Sequence, residues 1–197
     1  GVTSAIAVPA YAGIPVTHRQ VASAFLVATG HEDPNKAQSS HYWKALAEFS
    51  GTLIFLMGVE RLSEIAEALT TQGKASDTPA ALIHWGTTAA QRALVGTLGD
   101  IAHKATEAAL EPPAILVVGP VVALRDSLRW FDNRPLFGKR VLVTRSRRQA
   151  SQLCQLLIRE GAQPVELPVI ETEPLPNLEE LDLALARLSD YQWVVFT

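Results

Sequence analysis

Two short runs constrain this chain more than anything else in it: Thr52–Met57, which reads TLIFLM, and Ala114–Val118, which reads AILVV. Both are apolar along almost their whole length and rich in β-branched or aromatic side chains, the pattern of a buried strand. Between them, Glu60–Gln72 places Leu62, Ile65, Ala66 and Leu69 at helical spacing, closed by Gly73; this is one apolar helix face. Pro79–Ile83 reads as a further strand, Arg92–Thr97 as an edge strand, and Gly99–Leu110 as a helix. Ahead of them, Ser4–Tyr11 reads as a short helix before a turn punctuated by Gly13 and Pro15, and Ala24–Thr29 as a strand ending at Gly30. The polar residues 31–50, with His31, Asp33, Pro34, Asn35, Ser39 and Ser40, suit a loop with a short helix. The alternation predicts an α/β layered domain with a mixed sheet over residues 1–125.

Residues 126–138 mix aromatic, charged and turn residues without either period and read as a linker. A new α/β rhythm follows over 139–197. Arg140–Thr144 is a strand. Arg148–Glu160 is a helix with Ala150, Leu153, Cys154 and Leu157 on its buried face and Gly161 after its end. Gln163–Ile170 is an edge or broken strand, because Pro164 and Pro168 interrupt it. Leu178–Leu188 is a helix and Trp193–Phe196 a strand. This is the opening of a parallel β-α-β-α-β sheet.

Hydrophobic residues make up 48% of the 197 positions and charged residues 19%, with a net charge of -3. That is a globular composition without the basic excess of a nucleic-acid binder. Cys154 is the single cysteine, so no disulfide forms within the chain. No apolar run approaches the roughly 18 residues that span a bilayer. Together these predict a soluble, cytoplasmic protein with neither nucleic-acid nor membrane partners. The chain starts at Gly1 and stops on a strand-like pattern, so a piece of a longer protein is expected.

The first residues carry most of the chemistry. In Gly1-Val2-Thr3-Ser4-Ala5, small residues and two hydroxyls open a helix, where free N–H groups suit an anion; an ordinary N-capped helix reads the same way. Met57 at a strand end is either core packing or a soft apolar surface. Gly86 is a place where a ligand can approach the main chain. His18 and Arg19 suit carboxylates, or a solvated turn after Pro15. His31, His41, His84 and His103 have no metal-ligand spacing with one another or with Cys154. Asp100 and Glu107 read as a solvated helix face. Lys139, Arg140, Arg145, Arg147 and Arg148 form a basic cluster, either solvated or drawing a polyanion.

The string from Gly1 through Tyr11, Thr17 and His18 to Arg19 resembles the signature of uroporphyrinogen-III C-methyltransferases, within the tetrapyrrole methylases. The resemblance continues through Val27–His31, Thr52–Val59, Pro79–Thr87, Gln91-Arg92, Gly96–Leu98 and Pro113–Leu124, covering residues 1–131. It implies an enzyme that transfers methyl groups from S-adenosyl-L-methionine to uroporphyrinogen III. The products would be S-adenosyl-L-homocysteine and precorrin-2, on the sirohaem and cobalamin routes. It implies cofactor contacts at Thr3, Ser4, Met57 and Gly86, substrate contacts at Tyr11, Thr17, His18 and Arg19, and a homodimer. The family's first domain, with its glycine-rich loop, has no counterpart here, and Leu56 stands where the family often has tyrosine. From Asn133 to Arg145, and again at Gly161-Ala162, Pro168–Ile170 and Trp193–Thr197, the chain is similar to the start of uroporphyrinogen-III synthase. The implied whole is a fusion of the two activities, of which this chain, inactive alone, is an internal part. A non-catalytic binding and dimerisation module, and a methylase of a later corrin intermediate, are the rival expectations.

Overall fold

The computed structural model describes residues 1–30, 40–171, 173 and 176–195, without the side chains of 40, 41 and 147–149. The expected loop residues His31, Asp33, Pro34, Asn35 and Ser39 and the end of the last expected strand lie outside the described residues, as do the His41, Arg147 and Arg148 side chains.

Five strands form the main sheet: β1 (Phe25–Thr29), β2 (Thr52–Leu56), β3 (Pro79–His84), β4 (Arg92–Thr97) and β5 (Ala114–Val118), in the order β1-β2-β5-β3-β4. β1 and β2 are parallel, and the other three pairings are antiparallel. The sheet is therefore mixed, as expected, and Arg92–Thr97 is at its edge. The TLIFLM and AILVV runs sit side by side in its middle, Leu53 opposite Val118 and Leu56 opposite Ile115. Central placement explains why Thr52 is the one polar residue in the two runs, since both faces are covered.

Side chains alternate between those faces. Leu53, Phe55, Ala80, Leu82, Leu116 and Val118 point into one core, beneath α2 (Ser40–Glu48), α3 (Leu62–Thr71) and α4 (Ile101–Glu107). Ile54, Ala81, Ile83, Ile115 and Val117 point into the other, against Ala5 and Val8 of α1 (Ser4–Tyr11). Leu62, Ile65, Ala66 and Leu69 are the buried face of α3, so its heptad-like spacing is used as anticipated. Full burial of each such large side chain contributes about 1.5–3 kcal/mol.

The chain then turns through Pro120–Leu124 into the short α5 (Arg125–Leu128). The segment expected to be a plain linker is packed: Phe131 is buried and Arg125 is buried beside Asp132. Beyond it, β6 (Arg140–Val143), α6 (Arg147–Arg159) and β7 (Gln163–Glu166) form a parallel pair with its crossover helix. The core here is Val143, Ala150 and Cys154, with Leu157 against it. Two expectations for this part need correcting. Leu153 is 37% exposed rather than buried, because the small β6–β7 pair covers only part of the α6 stripe. Residues 193–195 form no strand, and Trp193 is 86% exposed; a strand needs a paired neighbour, and none is beside it among the described residues. α7 (Glu179–Ala186) likewise buries no residue.

Candidate functional site

The register brings the C-terminal ends of β2 and β3 to either side of the start of β5, with Leu56 opposite Ile115 and His84 opposite Ala114. One sheet edge thus gathers Met57, Trp85, Gly86 and Pro113. The Trp85 N–H donates to the Pro113 carbonyl at 3.2 Å. The backbone of this edge is strained. Met57, Trp85 and Thr87 have φ of 54°, 47° and 71°, a left-handed conformation costing about 1–2 kcal/mol for a residue with a Cβ. Such strain clusters at ligand sites. Met57 had been expected to end the strand; its left-handed turn instead ends β2 at Leu56 and leaves the thioether 66% exposed.

Beside Met57 lies a cavity of about 320 Å³, lined by Met57, Val59, Glu60, Pro112, Pro113 and Ala114. Five of these residues are apolar, and Glu60 is the one charged residue among them. Small-ligand sites have this size and character. A second cavity of about 240 Å³ adjoins it, between α3 and α4.

The other expected cofactor residues are linked to this edge through α1. Thr3 is the N-cap, its hydroxyl accepting from the Ala5 N–H at 3.4 Å, and Ser4 follows, exposed. A Cβ on Gly86 would stand 2.4 Å from Val8 Cγ1. The close approach at Gly86 is thus made by Val8 itself, which shares a helix face with Ser4 four residues earlier.

Tyr11 is the last residue of this eight-residue helix, about 12 Å from Thr3 by helical rise, and Thr17, His18 and Arg19 follow beyond its end. Tyr11 packs against Trp130 and Phe131, ring centroids 5.1 and 4.8 Å away. His18 bridges to Ala22 and its Nδ1 accepts from the Gln20 N–H at 3.4 Å. Thr17 and Arg19 are exposed. The structure therefore separates the eight expected residues into two groups.

Electrostatics near the edge centre on His84. Its Nδ1 is buried without a hydrogen-bond partner. Burial pushes its pKa down and the Arg92 guanidinium adds to that, while Glu111 opposes. Both lowering influences disfavour the charged imidazole. His103 is exposed and faces Glu107 at 3.5 Å. Asp100 pairs with Lys104 rather than with Glu107. Lys139, Arg140 and Arg145 are exposed. Among the described residues no cluster of His, Cys, Asp or Glu is disposed to hold a metal, and no helix is long and apolar enough to cross a membrane.

Sequence reasoning missed Glu60, Trp85 and Pro112–Ala114. The Pro-Pro pair ahead of AILVV was a signal for a turn at the strand's start. Glu60 and Trp85 gave none, because their place depends on how two turns meet.

An α-covered mixed sheet with strained turns and an apolar cavity at one end of its strands is the frame of an α/β protein. The chain belongs to the tetrapyrrole methylases: residues 1–102 match the family model for Tetrapyrrole (Corrin/Porphyrin) Methylases. Residues 151–197 match that for Uroporphyrinogen-III synthase HemD. Over all 197 residues the chain is 41% identical to the "Porphyrin biosynthesis protein HemD" of Ruminiclostridium josui, of which it spans 39%. It is 57% identical over 128 residues, 65% of this chain, to the S-adenosyl-L-methionine-dependent uroporphyrinogen III methyltransferase of Methanosarcina barkeri, of which it spans 50%. Among solved structures, the uroporphyrin-III C-methyl transferase of Thermus thermophilus complexed with S-adenyl homocysteine is similar at 28% identity and a TM-score of 0.53, covering 63% of this chain and 52% of that one. The chain thus spans between 39% and 52% of the length of these relatives.

Proposed function

We propose that this chain is the part of a uroporphyrinogen-III C-methyltransferase that forms one wall of the S-adenosyl-L-methionine site. The product of the whole enzyme would be precorrin-2. The observation that carries this reading is the apolar cavity at the ends of β2 and β5, with Met57 forced out beside it. The cavity fits the cofactor's nucleoside: Met57, Val59 and the Pro112–Ala114 turn suit a flat base, and Thr3 and Ser4 offer hydroxyls at a helix start. Bound S-adenosyl-L-methionine supplies a methyl group on a sulfonium. This chain's residues hold that group in place and exclude water from one side; positioning is the main demand when a pyrrole carbon attacks. Tyr11, Thr17, His18 and Arg19 are proposed to meet the substrate, His18 and Arg19 through its carboxylates.

The organisation proposed is a methylase part over 1–125, a connection at 126–138, and a synthase part from 139, in a cytoplasmic homodimeric enzyme. The synthase part belongs to the preceding step, closure of hydroxymethylbilane. The 197 residues alone are proposed to bind cofactor without turnover. A binding and dimerisation module is the second reading, favoured by the share of each relative that the chain spans.

Titration of the chain with S-adenosylhomocysteine tests this directly. Saturable binding that Met57→Ala weakens about fivefold or more, from loss of a buried apolar contact, is the expected result. Absence of binding, in a chain that sediments as a folded dimer, would leave the module as the better account.

A further inference from the structure

Glu60 is unexplained by the fold. It lies three residues after Met57, is exposed, and is the one charged residue among the otherwise apolar residues lining the 320 Å³ cavity. It does not serve α3. The first-turn acid of that helix is Glu64, which Arg61 engages at 2.6 Å, and the N-cap makes no side-chain cap hydrogen bond. Nor does Glu60 form an ion pair among those resolved between described residues. Glu60 also borders the second cavity, but Glu111 is there as well, and like charges repel. The apolar cavity has no second acidic residue in its lining.

An ionised carboxylate only accepts hydrogen bonds. Set beside an apolar slot, its two oxygens match two neighbouring hydroxyl donors, the vicinal diol of a ribose. A flat base would lie on Met57 and Pro112–Ala114, and the sugar would leave the slot toward Glu60. An acid serves the same purpose for ribose in other nucleotide sites. We propose that Glu60 binds the ribose diol of the adenosyl group and so selects a ribonucleoside cofactor. This rests on the reading of the cavity as the cofactor site and adds a residue and a specificity to it.

Calorimetric titration of the full chain tests the assignment. The ligands are S-adenosylhomocysteine, 5′-methylthioadenosine, adenosine and 2′-deoxyadenosine, each against wild type, Glu60→Gln and Glu60→Ala. A charge-assisted hydrogen bond predicts about tenfold weaker binding of the first three ligands by Glu60→Ala. Wild type should discriminate against 2′-deoxyadenosine by a similar factor, and Glu60→Ala should not. Glu60→Gln, which retains one acceptor, should fall between. Unchanged thermal unfolding of both variants will show that the effect is on the ligand. Three results would overturn the diol assignment while leaving the cofactor site intact. One is equal binding of S-adenosylhomocysteine by all three proteins. Another is discrimination against the deoxy ligand that survives in Glu60→Ala. The third is a loss confined to S-adenosylhomocysteine, which would mean that Glu60 meets the amino-acid ammonium instead. No binding of any ligand by wild type would overturn the cofactor site and the diol assignment together.

Discussion

At Gly86 the absent side chain decides how closely α1 approaches the sheet edge. An alanine Cβ there meets Val8 2.4 Å away, and valine is stiff at χ1, so the contact cannot be relieved by one rotamer. Gly86→Ala is expected to destabilise the fold by about 1–3 kcal/mol, read from the denaturant midpoint, and to weaken cofactor binding by shifting α1. Asp100 is a second single-residue device. Its Oδ1 accepts from the Thr97 N–H at 2.6 Å and its Oδ2 faces Lys104 at 2.7 Å. These bonds, that to Lys104 first, hold its carboxyl below the usual aspartate range. A depressed acid stabilises the fold above its unfolded pKa and loses that contribution as pH falls through the folded value. The stability gap between wild type and Asp100→Asn should therefore be constant near neutrality and shrink below about pH 4. A gap that widens on acidification would contradict this assignment.

Among the elements, α1 is the one whose placement is most heavily determined. Its end is fastened by residues far along the chain. Arg125 donates to the Ala12 carbonyl and pairs with Asp132. Trp130 Nε1 donates to the Ala10 carbonyl at 3.1 Å. Gly13, at φ +73°, lets the backbone of Arg129 pass where a Cβ would be 2.5 Å from its Cα. Arg125 and Asp132 are both largely buried, with side-chain exposures of 9% and 14%. Removing one partner of such a pair strands the other. Arg125→Ala should cost about 3–5 kcal/mol, whereas Arg125→Ala combined with Asp132→Ala should cost less than the sum of the two single changes. Chemical denaturation of the four proteins in the cycle measures this, and additivity would argue against a coupled pair. α2 is fastened in a comparable way, by Lys74 Nζ donating to the Ala47 and Phe49 carbonyls at 3.1 and 3.0 Å, which satisfies acceptors that a helix end leaves open.

Across the whole molecule, residues 125–138 act as a bracket. On one side they hold α1. On the other, Arg134 stacks over Trp130 and Phe131 at 4.7 and 4.8 Å and donates to the Ile158 carbonyl at 3.4 Å. The Leu136 N–H reaches the Glu160 carbonyl at 2.9 Å, and Phe137 stacks edge-on to Phe131. Contacts therefore run without a break from the end of α1 to the end of α6. Wild type should unfold in one calorimetric transition, while a Trp130→Ala, Arg134→Ala double variant should show two, with earlier protease cutting at 126–138. Two transitions already present in wild type would show that the bracket does not couple the parts.

The sequence by itself determined the sheet and its covering. Local periodicity sets TLIFLM and AILVV as strands and the Leu62–Leu69 stripe as a helix face, because burial selects side chains one position at a time. It also carried the family signature, since a string such as Gly1–Arg19 is matched without knowing what it touches. The tertiary structure alone decided the site. Strand order put Met57 and Trp85 on either side of Pro113, though 28 and 56 residues of chain separate Trp85 from Met57 and Met57 from Pro113. It turned Met57 outward through one left-handed dihedral, set Gly86 on Val8, and made a bracket of a segment without period. It also left Trp193 exposed where local pattern expected a strand. Each of these depends on which distant residue arrives alongside, and neither periodicity nor composition carries that information, because pairing is a property of the packed chain and not of any window within it.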